Sequence, residues 1–258
     1  MNCIVCVTSV PDTASVIKIG ADGKIDETGI KWILSPYDEF ALEEALQTTE
    51  AKGGEVTAVT YGPARAEAVL RDCLARGAHK AVHVIGGEDT LGDSAKISEV
   101  LAAALKDRQC DLLFVGIQGV GTDNSQVGQM LAERLDVPHV AGVTTFELGD
   151  GVFTAGRDVE GGHETIECPL PALVTCQKGL NEPRYAALKG IMAAKRKPVE
   201  KLQPADLGID EAAGSTYEVK ALELPPEKGA GQVIQGEDDP AGAAKELVRL
   251  LRDDAKAI

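Results

Sequence analysis

The chain has 258 residues and a formal net charge of -15, with 44% hydrophobic and only 3% aromatic residues. That length suits one α/β domain with an extension and is enough to bury a sizeable core. The acidic balance excludes a nucleic-acid partner, since affinity for phosphate backbones comes mainly from basic surface; a small anion remains open, because backbone N–H groups can hold one.

The first element is the apolar run Cys3-Ile4-Val5-Cys6-Val7, a buried strand from Cys3 to Val7. Its Cys-x-x-Cys pair has redox and zinc spacing, yet strand geometry sends the two side chains to opposite faces, so both read as structural thiols. Cys73, Cys110, Cys168 and Cys176 lie scattered, and no metal site is expected. The chain starts with this strand and carries no signal-like segment and no apolar run of about twenty residues, so a cytoplasmic protein without direct membrane insertion is expected.

A helix over Pro36–Lys52 follows, with Ser35 as its cap, Pro36 at its first position and Asp38 placed for an approximate capping box. Next come a strand over 55–60, a helix over 64–76 stopped by Gly77, a strand over 80–85, a helix over 93–106, a strand over 111–115 and a helix over 124–135. This alternation predicts a parallel sheet wound by crossover helices. From Val140 the pattern becomes strand-like over 143–148, 152–158, 163–168 and 172–176, with glycine turns at 149–151 and 161–162. It reads as an antiparallel addition that ends by returning to the main sheet.

From Pro204 the chain is acidic, with Pro225-Pro226, a glycine-rich piece from Gly229 to Gly236 and an amphipathic helix from about Ala241 to Arg252. The expected division is therefore a main domain over 1–203 and an arm over 204–258. The arm's apolar residues Leu247, Val248, Leu250 and Leu251 must find a surface, either on another subunit or on the chain's own domain.

Between the strand at 111–115 and the next helix lies Gly116-Ile117-Gln118-Gly119-Val120-Gly121-Thr122-Asp123-Asn124-Ser125-Gln126-Val127. Its glycines permit positive φ and close backbone approach, and the helix start offers unpaired N–H groups to an anion. The spacing fits neither the dinucleotide fingerprint nor the Walker pattern, so ligand binding and tight packing both stand. Thr8 to Asp12, Ser35 to Asp38 and Tyr61 to Pro63 belong to the same carboxyl edge, where ligands collect in α/β sheets. His79, His83, His139 and His163 fall in separate segments beside no nucleophile motif. Asp38 and Glu39 are read as first-turn carboxylates that favour the helix dipole, so no catalytic residue is expected.

Six basic residues collect between Leu180 and Lys201 in this acidic chain. Arg184, Tyr185, Leu188, Ile191, Met192 and Lys195 read either as a docking element or as a helix with a buried apolar side and solvated lysines.

Val10-Pro11-Asp12, the run Ser35-Pro36-Tyr37-Asp38-Glu39-Phe40-Ala41-Leu42-Glu43-Glu44-Ala45, Tyr61-Gly62-Pro63, the Gln118 to Gln129 loop and Leu180-Asn181-Glu182-Pro183-Arg184-Tyr185 resemble the β subunit of electron-transfer flavoproteins. The resemblance runs from the first strand to about Asp210. It implies an α/β fold, a parallel doubly wound sheet of the adenine-nucleotide-binding, Rossmann-like type with an antiparallel addition and an extended C-terminal arm. It further implies an obligate heterodimer: an α subunit holds the redox FAD, and the β subunit holds AMP through Cys6, Ser35, Pro36, Tyr37, Asp38, Tyr61 and residues Gly116 to Val127, the phosphate meeting the Asp123 to Val127 helix start. In such a carrier, which is not itself an enzyme, acyl-CoA or other dehydrogenases dock on the Arg184 to Lys195 segment with Leu188 as anchor, and electrons leave to a quinone-linked acceptor. Tyr37 matches a position near the flavin of the α subunit.

Bifurcating members of the family, which oxidise NADH and bind a second FAD at the AMP position, resemble this chain at Val10 to Thr13 and Tyr37 to Glu39. Thr122-Asp123-Asn124 and Gly128-Gln129 depart from their loop pattern and favour AMP, whereas Thr8 stands where many members carry lysine. A stand-alone nucleotide-binding regulatory domain is the reading from another class.

Overall fold

The computed structural model describes residues 1–258 apart from 87–91, 211–214, 227–228 and 230. The predicted glycine-rich piece from Gly229 to Gly236 includes residue 230, which lies outside the described residues.

Strand β1 (Asn2–Cys6) is buried on both faces, which places it inside the sheet. Cys3 and Val5 enter one core and Ile4 and Cys6 the other, so the Cys-x-x-Cys pair is split across the sheet as expected. Burial pushes the Cys3 thiol up to about 12 and the Cys6 thiol higher still, so neither is a ready thiolate. After β1 the chain forms a small antiparallel pair, β2 (Ser9–Pro11) with β3 (Trp32–Leu34), too short to have been predicted.

Helix α1 (Pro36–Lys52) has the predicted bounds and leads to β4 (Glu55–Gly62). A 3-10 turn over Ala64–Ala66 then opens α2 (Glu67–Arg76), which stops at Gly77 with φ of 135°. Strand β5 (Lys80–Ile85), helix α3 (Ser94–Leu105) and strand β6 (Leu112–Gly116) follow. Helix α4 spans Val127–Leu135, strand β7 spans His139–Leu148, and β8 (Val152–Val159), β9 (Gly162–Pro169) and β10 (Ala172–Cys176) complete the addition. Last in this body come α5 (Leu188–Ala194) and a short unpredicted strand, β11 (Glu200–Leu202), parallel to β5.

Among the described residues the main sheet has nine strands in the order β11-β5-β4-β1-β6-β10-β7-β8-β9. Pairing is parallel from β11 through β7 and antiparallel for β7–β8 and β8–β9. Strand β7 serves both parts. It pairs parallel with β10 at its start and antiparallel with β8 from Val143 onward, and the pairing registers shift near Gly142, which has φ of 75°. Side chains of α1 and α2 fill one core with Phe114 and Phe153, and those of α3 and α4 fill the other with Val82 and Leu113. The sheet is therefore doubly wound.

Two compact units emerge: Met1–Lys18 with Ile25–Lys220, and Ile19–Lys24 with Ala221–Ile258. The second contains α6 (Pro240–Arg249), capped by the Asp239 side chain accepting from Gly242 N at 2.9 Å, and a π-helical turn over Leu250–Asp254. No residue of α6 is buried.

Candidate functional site

Strand β1 feeds α1 on one face of the sheet, and the neighbouring β6 feeds α4 on the other. The crevice between β1 and β6 is thus the point where the winding reverses, the place where open α/β sheets receive ligands. Ser35 to Asp38 and Gly116 to Val127 meet at this edge, with Cys6 just below it and Thr8 at its rim.

Asp38 joins the two sides. Its carboxylate accepts Thr8 N at 2.7 Å and Gly116 N at 3.1 Å, while Ser35 N donates to Thr8 O at 3.0 Å. Burial lifts the Asp38 carboxyl to about 7 against the two backbone donors, which favour its charged form. The expected capping box is therefore absent: Asp38 spends its oxygens on the crevice, and Ser35 makes no side-chain cap bond. Ser35 Oγ is fully buried and has no hydrogen-bond partner among the described residues. Gly116 must lack a side chain, because a Cβ there would collide with Asp38 Oδ1 and come 2.9 Å from the Tyr37 backbone.

The predicted helix start needs a correction. Asp123 and Ser125 have φ of 48° and 51°, in the left-handed region, so Asn124 to Gln126 stay in the loop and α4 begins at Val127. The loop is held by its own side chains. Gln118 Nε2 donates to Asp123 Oδ1 at 3.0 Å, Ser125 Oγ donates to Gln118 Oε1 at 2.8 Å, and Asp123 N donates to Gly119 O at 2.9 Å. Asn124 Nδ2 ties it to the entry of α3 through Gly92 O at 2.9 Å. Gly121 has φ of 103°, whereas Gly119 and Gly128 do not need positive φ. Gly128 instead lets α4 approach Thr175 of β10. Gly121 to Asn124 are exposed and no side chain caps α4, which leaves its first-turn donors facing an open loop. Val120, Thr122, Gln126 and Ile117 complete this rim; Tyr61 lies buried at the end of β4.

The histidines do not assemble, and among the described residues no group of three acidic, histidine or cysteine side chains could hold a metal. No helix among them is long and apolar enough to cross a membrane.

The basic segment turns out to have two kinds of residue. Tyr185 is 92% exposed and Leu188 77%, with Ile191 and Met192 also in solvent, so the large apolar residues of α5 face outward and Ala194 is its one buried residue. Arg184 is different: its guanidinium lies on Glu43 and Glu50 of α1, carboxylates to which the sequence reading gave no role. Burial alone would raise the Glu43 carboxyl, but bonds from Arg184 and Gln47 hold it below its ordinary range. A signal did exist, since Glu43 and Glu44 fall on the buried side of α1 and a buried carboxylate needs a cation or donors.

Fold and crevice together define a doubly wound α/β protein of the Rossmann-like class. The sequence model of the electron transfer flavoprotein domain matches residues 22–207. The chain is 47% identical over 262 residues to the electron transfer flavoprotein subunit beta of Bacillus subtilis, covering 100% of both chains. It is 36% identical over 255 residues to the mouse, Mus musculus, subunit beta, covering 97% of this chain and 99% of that one. It is also 39% identical over 246 residues to subunit CarD of the caffeyl-CoA reductase-Etf complex of Acetobacterium woodii, covering 92% of each. The chain belongs to the electron transfer flavoprotein family, as a β subunit, and its role lies in flavin-dependent electron transfer.

Proposed function

We propose that the chain pairs obligately with a larger α subunit that binds the redox FAD, and that it holds one AMP as a structural ligand. The observation that carries the AMP assignment is the Gly119 to Ser125 loop, exposed from Gly121 to Asn124, leading into the uncapped start of α4. The backbone donors there suit a single phosphate, the positive φ at Gly121, Asp123 and Ser125 keeps the loop concave, and the orphaned Ser35 Oγ suits a polar group of the nucleoside. Asp38 already occupies the donors of Thr8 and Gly116, which directs a phosphate to the α4 side of the crevice.

In this reading FAD supplies one- and two-electron chemistry, while the chain's own residues orient the partner and exclude solvent. Electrons arrive from acyl-CoA or other dehydrogenases docking on Tyr185, Leu188, Ile191 and Met192, exposed apolar side chains beside Lys189 and Lys195. They leave to a quinone-linked acceptor. Residues 204–220 stay with the main body, Ser215 and Thr216 bonding to Asp93, and the rest of the arm to 258, whose α6 has no buried residue, packs on the α subunit.

Denaturing the co-purified heterodimer and counting released ligands tests the proposal. One FAD and one AMP are expected; one FAD without AMP would sink the assignment. Two FAD, with flavin reduction by NADH, would establish the bifurcating alternative suggested by Val10 to Thr13 and Tyr37 to Glu39. A stable monomer saturable by AMP without an α subunit would instead indicate a regulatory domain.

A further inference from the structure

The segment from Asn181 to Lys197 is fastened at both ends by hydrogen bonds and lies against α2 between them. At its start, Asn181 Nδ2 donates to Phe40 O at 3.1 Å and to Glu44 Oε2 at 2.9 Å, and Arg76 Nη1 donates to Arg184 O at 3.2 Å. At its end, Arg71 Nη1 donates to Ala194 O at 2.9 Å and to Lys197 O at 2.6 Å, and Lys197 Nζ reaches Ala78 O at 2.7 Å. Gly190 passes against the backbone carbonyl of Ala75, where no side chain would fit. Between these anchors Tyr185, Leu188, Ile191 and Met192 point outward as an apolar crest, with Lys189 exposed beside them.

Arg184 is the residue next to that crest and the most heavily bonded in the segment. Its Nε and Nη2 each lie 2.9 Å from a Glu43 oxygen, Nη2 also lies 2.9 Å from Glu50 Oε2, and its backbone N donates to Glu43 Oε2 at 3.0 Å. Glu43 and Glu50 are two turns apart on α1 and present one face, so a planar fork bridges them where an ammonium could not. A guanidinium so engaged has little donor capacity left for another protein. What it does is fix the chain direction at Tyr185, and an element ordered before contact loses less freedom on association.

We propose that Arg184 is the positioning residue of the docking crest, holding it in its binding conformation through Glu43 and Glu50 without touching the partner. The inference rests on the reading that the crest docks a dehydrogenase.

The test uses the full heterodimer with a purified acyl-CoA dehydrogenase as electron donor. Arg184→Met is expected to raise the KM for the heterodimer about tenfold, leaving kcat, flavin content and dithionite reduction unchanged. Arg184→Lys should fall between it and the parent. Amide hydrogen exchange over 185–193 should quicken in Arg184→Met. An unchanged KM, or a raised KM with unchanged exchange, overturns the proposal, the second outcome meaning that Arg184 contacts the donor directly. Should Arg184→Met fail to fold, Glu50→Gln removes half of the same clamp at an exposed position and must raise KM and exchange together. Leu188→Ala run in parallel separates the two readings. If it leaves KM unchanged, docking on the crest is wrong and the positioning role falls with it; if it raises KM while Arg184→Met does not, only the positioning role is wrong.

Discussion

A single carboxylate sets the local order of the crevice. Asp38 is buried at the meeting of β1 and β6 with two backbone donors and, among the described residues, no cationic partner, near the buried thiols of Cys6, Cys73 and Cys176 and next to Glu39. Its folded value of about 7 lies above that of an unfolded aspartate, so the folded chain binds the extra proton between about pH 4 and 7. The stability this proton confers is complete below about pH 4 and is lost as pH rises to about 7, at up to about 1.4 kcal/mol per pH unit. Urea unfolding of the parent and of Asp38→Asn across that range should differ by this slope, and parallel curves would remove Asp38 as its source. Gly121 acts through its backbone. With φ of 103° and open space around its missing Cβ, Gly121→Val strains the loop without clashing. AMP content per heterodimer should fall while far-ultraviolet circular dichroism stays constant, and undiminished AMP would argue against the loop as the site.

At the level of elements, the antiparallel addition belongs to the core of the main sheet. Phe114 of β6, Phe146 of β7 and Phe153 of β8 pack in series, the first pair edge-to-face and the second tilted, with centroids 5.6 and 5.1 Å apart, and Phe114 and Phe153 are fully buried. Phe153→Ala should therefore cost about 3–5 kcal/mol in denaturant unfolding, the range for removing a buried aromatic ring. A loss below about 1 kcal/mol would mean that β8 and β9 fold apart from the main sheet. Helix α5 behaves in the opposite way. Leu188 makes its largest surface to solvent, so Leu188→Ala should change stability by less than about 0.5 kcal/mol yet slow electron transfer from a dehydrogenase. Marked destabilisation would show that the leucine packs inside the protein after all.

For the whole molecule, the net charge of -15 and the exposed lysines around α5 make a basic island on an acidic body. The C-terminal unit adds a helix whose Leu247 and Val248 are both exposed. Such a surface calls for a partner, and removing residues 239–258 should weaken association with the α subunit in analytical ultracentrifugation. Association of undiminished strength would place the subunit contact elsewhere.

The sequence by itself determined the layered plan, since short runs such as Cys3 to Val7 and Leu112 to Val115, alternating with helical patterns, read as strands buried on both faces, and such strands require helices on either side. It also determined the family, because Leu180 to Tyr185 and Ser35 to Ala45 are motifs read in linear order. Tertiary structure alone decided what those motif residues touch. Asp38 looked like a cap because capping is a local pattern, but Thr8 and Gly116, far off in sequence, compete for its oxygens and win. The ion pairs of Arg184 were hidden in the sequence because Glu43 and Glu50 come from a helix about 140 residues earlier, and ion pairing depends on distance in space. The start of α4 at Val127 was hidden for the same kind of reason: the left-handed Asp123 and Ser125 are stabilised by Gln118 and by Asn124 reaching Gly92, contacts that helical periodicity does not encode.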